Sequence, residues 1–260
     1  MPTLVISGGS SGIGKATATL FAERGWRVFE LSRHGVSQDG ITHVDCNVTN
    51  EESTRQAIDE VLKQTKTIDV VISNAGFGIS GAVEFTAIRD AQKQMDVNFM
   101  GAVRLTQAVL PQLRQQRFGR IIYTSSVAAV LAVPYQSFYS ASKAAINALA
   151  LALANEVRAF GIKVSVMMPG DVSTGFTDAR EKSVAGEDVY KSANKAVSAM
   201  EKDERGGMQP IQMAKLFWHI ANCRSPKPQY VGGFVYGVFC FLDRILPKRL
   251  VNWIEGKMYS

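Results

Sequence analysis

Tyr139 and Lys143 stand four residues apart in Tyr-Ser-Ala-Ser-Lys, on a pattern that continues as a helix, so both side chains share one face. A phenol beside an ammonium has its ionised form favoured, which brings proton exchange nearer neutrality. Such pairs are common on helices, but no other Tyr-x-x-x-Lys occurs in this chain. Ser126, thirteen residues before Tyr139, follows the strand-like run Ile121-Ile122-Tyr123-Thr124. That places a hydroxyl at the C-terminal end of a strand, where the sites of open α/β sheets assemble.

A second stretch, Ser7-Gly8-Gly9-Ser10-Ser11-Gly12-Ile13-Gly14, follows the first apolar run and leads into a helical pattern at Ala16, Leu20 and Phe21. Glycines there permit positive φ and let backbone N–H groups approach a pyrophosphate, aided by the positive end of the helix. The spacing is G-x-x-x-G-x-G rather than the commoner G-x-G-x-x-G, and a purely structural turn is the alternative. At the end of the second strand, Glu30-Leu31-Ser32-Arg33 sets Arg33 nineteen residues beyond Gly14, with the Ser32 hydroxyl beside it. An acid at this place binds a ribose 2′-hydroxyl and a base accommodates a 2′-phosphate, so the stretch predicts NADP(H) over NAD(H). Alternation along the strand points Glu30 elsewhere. A solvated strand-end cation is the other reading of Arg33.

The elements that must position these residues follow from the pattern. Short apolar runs rich in β-branched residues alternate with longer helical ones, which predicts an α/β fold with a doubly wound parallel sheet. Strands are expected at Thr3–Ser7, Arg27–Leu31, Ile41–Val44, Val70–Ser73, Arg120–Thr124 and Ile162–Met168. Thr49-Asn50-Glu51-Glu52 reads as a capping box ahead of a helix whose apolar face is Ala57, Ile58, Val61 and Leu62. Further helices are expected over Ala91–Gln116 and Tyr139–Phe160, the latter with a dense Ala/Leu face suited to close packing, even against a copy of itself. After Pro169 the alternation stops. Residues 171–208 show little periodicity and read as a substrate lid or as a disordered surface insertion.

With 260 residues and 46% hydrophobic ones, the chain holds a sizeable core in one domain. Three Cys (Cys46, Cys223, Cys240) at no metal-ligand spacing predict neither a disulfide framework nor a metal site. A reducing, cytoplasmic compartment is expected, and the N-terminus lacks the pattern of a signal peptide. The net charge of +6 is scattered, with no basic block, so no nucleic-acid partner is expected. Val231–Leu242 is apolar but closed by Asp243 and Arg244, too short for the roughly 20 residues of a membrane span.

Taken together, these motifs resemble the short-chain dehydrogenase/reductase family, over residues 3 to 235. The likeness rests on the Gly8/Gly12/Gly14 turn, Asn74-Ala75-Gly76, Asn98 in Val97-Asn98-Phe99-Met100-Gly101, Ser126, the Tyr139/Lys143 pair, and Pro169-Gly170. It implies a Rossmann sheet of about seven strands in a domain 1–235 that includes the lid read at about 171–208. Residues 236–260 form an amphipathic C-terminal extension beyond the resemblance, since family members often finish soon after the seventh strand. It implies that Tyr139 is the general acid/base, that Lys143 holds the nicotinamide ribose and lowers the Tyr pKa, and that Ser126 hydrogen-bonds the substrate oxygen. Asn98 would position a relay water near Lys143, and Val172 and Thr174 would touch the nicotinamide carboxamide. One departure is Cys46-Asn47-Val48, where the family usually has Asp-Val. Asn47 can still accept from adenine through its amide oxygen, and Val48 would pack on the adenine face.

Phe176, Val184, Val189 and Tyr190 of the lid and Val130, Leu131, Val133, Tyr135 and Phe138 before the helix predict a largely apolar pocket, core or dimer contacts being the alternative. The expected activity is NADP(H)-dependent interconversion of a secondary alcohol and ketone on a steroid-like or lipid-like substrate, in the manner of a hydroxysteroid dehydrogenase or carbonyl reductase. A 3-oxoacyl-thioester reductase and a non-catalytic NADPH sensor are the alternatives, and a homodimer or homotetramer is expected. The tail mixes Phe234, Tyr236, Phe239, Phe241, Leu242, Ile245, Leu246, Leu250, Val251, Trp253 and Ile254 with Arg244, Lys248, Arg249 and Lys257. It is expected to cover the cleft, meet a second subunit, or lie peripherally on a membrane.

Overall fold

The computed structural model describes residues 1–258 apart from 184 and 187, so Val184, expected in the pocket wall, lies outside the described residues. Seven parallel strands form the main sheet: β1 (Thr3–Ser7), β2 (Arg27–Ser32), β3 (Ile41–Asp45), β4 (Val70–Ser73), β6 (Gly119–Thr124), β7 (Ile162–Pro169) and β9 (Gln229–Gly232). Their order is β3-β2-β1-β4-β6-β7-β9. A minor pair joins β5 (Ile79–Ser80) to β8 (Glu181–Lys182). The strand order reverses between β1 and β4, which opens a crevice at the C-terminal ends of these strands.

Alternation along the buried strands feeds two cores. Val5, Phe29 and Tyr123 face α2 (Glu51–Gln64), α4 (Gly101–Gln116) and α5 (Ser137–Glu156). Leu4, Ile6 and Met167 face α1 (Gly12–Glu23) and α7 (Pro210–Asn222). Burial on both faces is why these strands read as continuous apolar runs. The cap of α2 differs from expectation: Asn50 Oδ1 accepts from Ser53 N at 2.8 Å, while Glu52 turns to Arg55. Asn50 is better placed because its side chain is one residue nearer the first free N–H groups. The long helix expected over 91–116 is α3 (Ile88–Met95) and α4 joined by a π turn at Asp96–Met100.

The described residues of the 171–208 segment include regular structure. It carries β8 and α6 (Ala193–Arg205), and a bridge of Val172 to Met208 closes its base. Beyond β9, α8 (Phe234–Ile245) and α9 (Lys248–Met258) form the C-terminal extension. Among the described residues no helix is long and apolar enough to cross a membrane.

Candidate active site

A cavity of about 970 Å³ occupies the crevice, running from the glycine turn past the ends of β4, β6 and β7 to the C-terminal helices. At the turn, Gly8 and Gly12 have φ of 65° and 52°. A Cβ on Gly8 would also lie 2.9 Å from Ala75 Cα, so the close approach of β1 and β4 needs glycine there. Ser7 Oγ accepts from Asn74 N at 3.0 Å and Ala75 N at 3.2 Å, and Asn74 Nδ2 donates to Gly8 O at 3.1 Å. Thr124 Oγ1 donates to Asn74 Oδ1 at 3.2 Å, so the ends of three strands are tied into one rigid floor.

The helix α5 brings Tyr139 and Lys143 to the same floor. Lys143 is buried, its Nζ donates to Thr124 O at 2.9 Å and lies 5.7 Å from the centre of the Tyr139 ring. Burial draws the Lys143 ammonium down to about 8. Burial likewise pushes the Tyr139 phenol up to about 12, a rise moderated by its hydrogen bond with Ser126. The expected fall of the phenol toward neutrality is therefore absent from this arrangement. The ammonium is committed to the Thr124 carbonyl, and loss of hydration outweighs its field. Ser126 Oγ in turn accepts from Ala128 N at 3.1 Å, which fixes its position.

Asn98 lies in the π turn behind this pair. Its Oδ1 accepts from Phe77 N at 3.0 Å, and its Nδ2 donates to Phe77 O and Ser142 Oγ, each at 3.0 Å. Ser142 Oγ then donates to Tyr139 O at 2.7 Å. The extra residue of the π turn aims the amide at α5. A Cβ on Gly76 would lie 3.1 Å from Asn98 Oδ1 and 3.5 Å from Lys143 Nζ, so these two groups converge on one point.

Of the residues expected from sequence, Gly8, Ser11, Gly12, Ile13, Asn74, Ala75, Gly76, Ser126, Tyr139, Lys143, Pro169, Gly170, Val172 and Thr174 share the cavity wall. Ser10, Gly14, Ser32, Arg33, Asn47 and Val48 lie outside that wall. Arg33 is exposed with no ion pair among the described residues, and Ser32 Oγ is buried without a protein partner. Asn47 does not keep its oxygen free as expected: Oδ1 already accepts from Thr49 N at 3.1 Å and Thr49 Oγ1 at 2.8 Å. Its own turn satisfies that acceptor first. Val48 is buried against Gly101 of α4.

Leu131, Val133 and Phe176 line the cavity as expected, whereas Val130 packs on the core, Val189 is exposed, and Tyr190 stacks edge-on to Phe85. Phe176 lies 5.8 Å from the Tyr139 ring. Sequence reasoning missed Asp171, which stands between Gly170 and Val172, and Gln136 one turn before Tyr139. Tyr236, Phe239, Leu242, Leu246 and Val251 show that the extension closes over the cleft.

The glycine turn, the floor of hydrogen-bonded strand ends and the Tyr139/Lys143 pair fit a nicotinamide dinucleotide, with room left for an apolar substrate. Comparison with known proteins agrees. Residues 2–185 match the model described as short chain dehydrogenase. Over 99% of its length the chain is 38% identical to 3-ketodihydrosphingosine reductase of Bacteroides thetaiotaomicron, covering 97% of that protein. It is 31% identical to oxidoreductase YbbO of Escherichia coli, over 97% of this chain and 93% of the other. A short-chain dehydrogenase from Streptomyces avermitilis superposes with a TM-score of 0.84 at 26% identity, over 98% of this chain and 97% of that one. Fold, motif order and likeness along nearly the whole length point the same way, and the chain belongs to the short-chain dehydrogenase family of nicotinamide-dependent oxidoreductases.

Proposed function

We propose that the protein is an NADPH-dependent reductase of a long-chain lipid ketone, with 3-ketodihydrosphingosine or a near analogue as substrate. The observation that carries this reading is the cavity wall. Around Tyr139 it is apolar, with Val127, Leu131, Phe176, Phe239 and Leu242, and α8 and α9 extend it well beyond the reacting centre. Such a channel suits an alkyl chain. Likeness to the Bacteroides enzyme over 99% of the chain supports the lipid arm of the substrate class over the steroid arm. A 3-oxoacyl thioester on a phosphorylated carrier fits less well, because the wall carries Asp171, Asp203, Asp243 and Glu255 where cations would be needed.

In this reading Tyr139 gives its proton to the carbonyl oxygen, and Ser126 holds that oxygen by a hydrogen bond. Burial keeps the phenol protonated, the form that a reductase uses. Lys143 supplies positive charge beneath the ring and a donor toward the cofactor ribose. Asn98 locks the Phe77 backbone and, through Ser142, the first turn of α5, so that the tyrosine does not drift. The bound cofactor supplies the hydride. Gly8, Ser11, Gly12 and Ile13 receive its phosphates at the N-terminus of α1, while Ser32 and the exposed Arg33 support a 2′-phosphate.

The outward apolar stripe of α8 and α9, set among Arg244, Lys248 and Arg249, belongs to this reading as a seat on an anionic membrane surface, from which a lipid ketone would enter. A homo-oligomer built on α4 and α5 belongs to it too, supported by Leu151, exposed on α5.

The test is NADPH oxidation by the purified protein with 3-ketodihydrosphingosine in mixed micelles. Turnover is expected, and Tyr139→Phe should lower it by roughly 10²- to 10⁴-fold while NADPH binding persists. Undiminished turnover in that variant would remove Tyr139 from the chemistry. Absence of turnover in the wild type would remove the substrate class.

A further inference from the structure

The cavity as a whole holds more carboxylates than cations. Asp171, Asp203, Glu204, Asp243 and Glu255 face it, with Lys143 and Lys202. Two of these acids are already matched: Glu204 takes Thr177 Oγ1 at 2.7 Å and the Arg180 guanidinium, and Asp243 is paired with Lys248 at 2.5 Å. Asp171 has no ion pair among the described residues. Its carboxylate has one side-chain partner there, the Tyr236 hydroxyl, which donates to Oδ2 at 2.5 Å.

That contact is built by two elements far apart in sequence. Asp171 leaves the end of β7, and its carbonyl accepts from Met208 N at 2.9 Å where the lid returns to the body. Tyr236 comes from the first turn of α8, and its ring lies directly on Gly170 and Gly233. A Cβ on these glycines would fall 2.1 and 2.8 Å from Tyr236 Cδ2. With the ring wedged there, its hydroxyl fixes one carboxylate oxygen of Asp171, which lines the cavity. Burial raises the Asp171 carboxyl, and the nearby charges of Glu204 and Asp203 act in the same sense. An anion so placed gains most from a cation brought by the ligand. Asp171 and Tyr139 line the same cavity.

We infer that Asp171, seated by Tyr236, receives the protonated amine of a 2-amino ketone and makes the site select such ketones over plain long-chain ones. The inference rests on the lipid-ketone reading above and names the group that gives it specificity. In 3-ketodihydrosphingosine the amine is carried by the carbon next to the ketone. An ammonium held by Asp171 therefore presents the carbonyl to Ser126 and Tyr139, and the alkyl chain runs toward α8 and α9. Asp171 binds and orients, and no bond to it forms or breaks.

The experiment measures kcat/KM with NADPH for 3-ketodihydrosphingosine and for the same ketone with hydrogen in place of the amine. The readout is the ratio of the two values, in which a general loss of activity cancels. A ratio well above one is expected for the wild type. Asp171→Asn should lower it by about 30-fold or more, the usual consequence of removing one partner of a buried charged pair. Tyr236→Phe should lower it less, since the carboxylate remains but loses its seat. A wild-type ratio near one overturns the inference without any variant being made, and so does an unchanged ratio in Asp171→Asn. Turnover of neither ketone by the wild type overturns the reductase reading itself and this inference with it.

Discussion

Lys143 is charged, buried and close to a phenol, and its energetics follow from that position. Burial takes the ammonium from 10.5 to about 8, which corresponds to a penalty of roughly 3 kcal/mol against the folded state while the group is protonated. The penalty is present in full below pH 8. It fades as pH rises from 8 to 10.5, because the folded protein releases the proton first. Lys143→Met should therefore melt at a higher temperature than the wild type at pH 7, with the gap closing toward pH 10. A melting series across that range checks it, and a gap independent of pH would refute the burial argument. The same titration predicts that ketone reduction declines above about pH 8 as Lys143 loses its charge, whereas Tyr139, held up at about 12, stays protonated. A rate profile flat from pH 7 to pH 10 would refute that link. Tyr139, Lys143, Ser126 and the glycine turn were legible because each depends on local spacing. The elevated phenol, the occupied Asn47 oxygen and the Asp171–Tyr236 contact were not. The first and last depend on surroundings supplied by the fold, with Asp171 and Tyr236 65 residues apart, and the second on a turn conformation that the residue types alone leave open.

At the scale of elements, the six strands read from the pattern are all present, with ends shifted by no more than one residue. The secondary structure of the 171–208 segment was the part that escaped. The buried positions of α6 are Ala196, Met200 and Glu201, an apolar stripe too short to show as a period, and its remaining inward contact is ionic. Arg180, whose side chain is 0% exposed, reaches Glu204 and lies 3.9 Å from Glu201. Arg180 also sits 5.6 Å over the Phe176 ring, which in turn packs on Tyr139. Charge thus does for this segment what apolar burial does for the sheet, and a hydropathy pattern does not register it. Arg180→Met would leave the partly buried Glu204 with only the Thr177 hydroxyl, a loss of up to about 3 kcal/mol for a broken, largely buried pair. Faster amide exchange is expected across 171–205, with β1 and β4 unchanged, together with a higher KM. Uniform acceleration over the whole chain would instead make Arg180 part of the global core.

For the whole molecule the decisive feature is that α8 is apolar on two sides. Val235, Phe239, Leu242 and Leu246 line the cavity, while Phe234, Val238, Phe241 and Ile245 recur at helical spacing on the outside, with Phe234 88% and Phe241 60% exposed. Trp253 of α9, also 60% exposed, extends that outer stripe. A monomer in water has no use for the second face. The same helices thus roof the cavity from within and present an apolar stripe outward. In the proposed reading the stripe, with Arg244 and Arg249 beside it, would lie on an anionic bilayer, where aromatic rings settle at the headgroup level and basic residues meet phosphate. The wild type should cosediment with phosphatidylglycerol vesicles more than with phosphatidylcholine vesicles, and Trp253 emission should shift to the blue on binding. The double change Phe241→Ser, Trp253→Ser removes two outward rings that do not touch the cavity, and should weaken vesicle binding by about tenfold or more while NADPH binding persists. If the double variant instead splits an oligomer, and the wild type ignores vesicles of either charge, the stripe is a subunit contact. The lipid ketone would then have to reach the cavity through water.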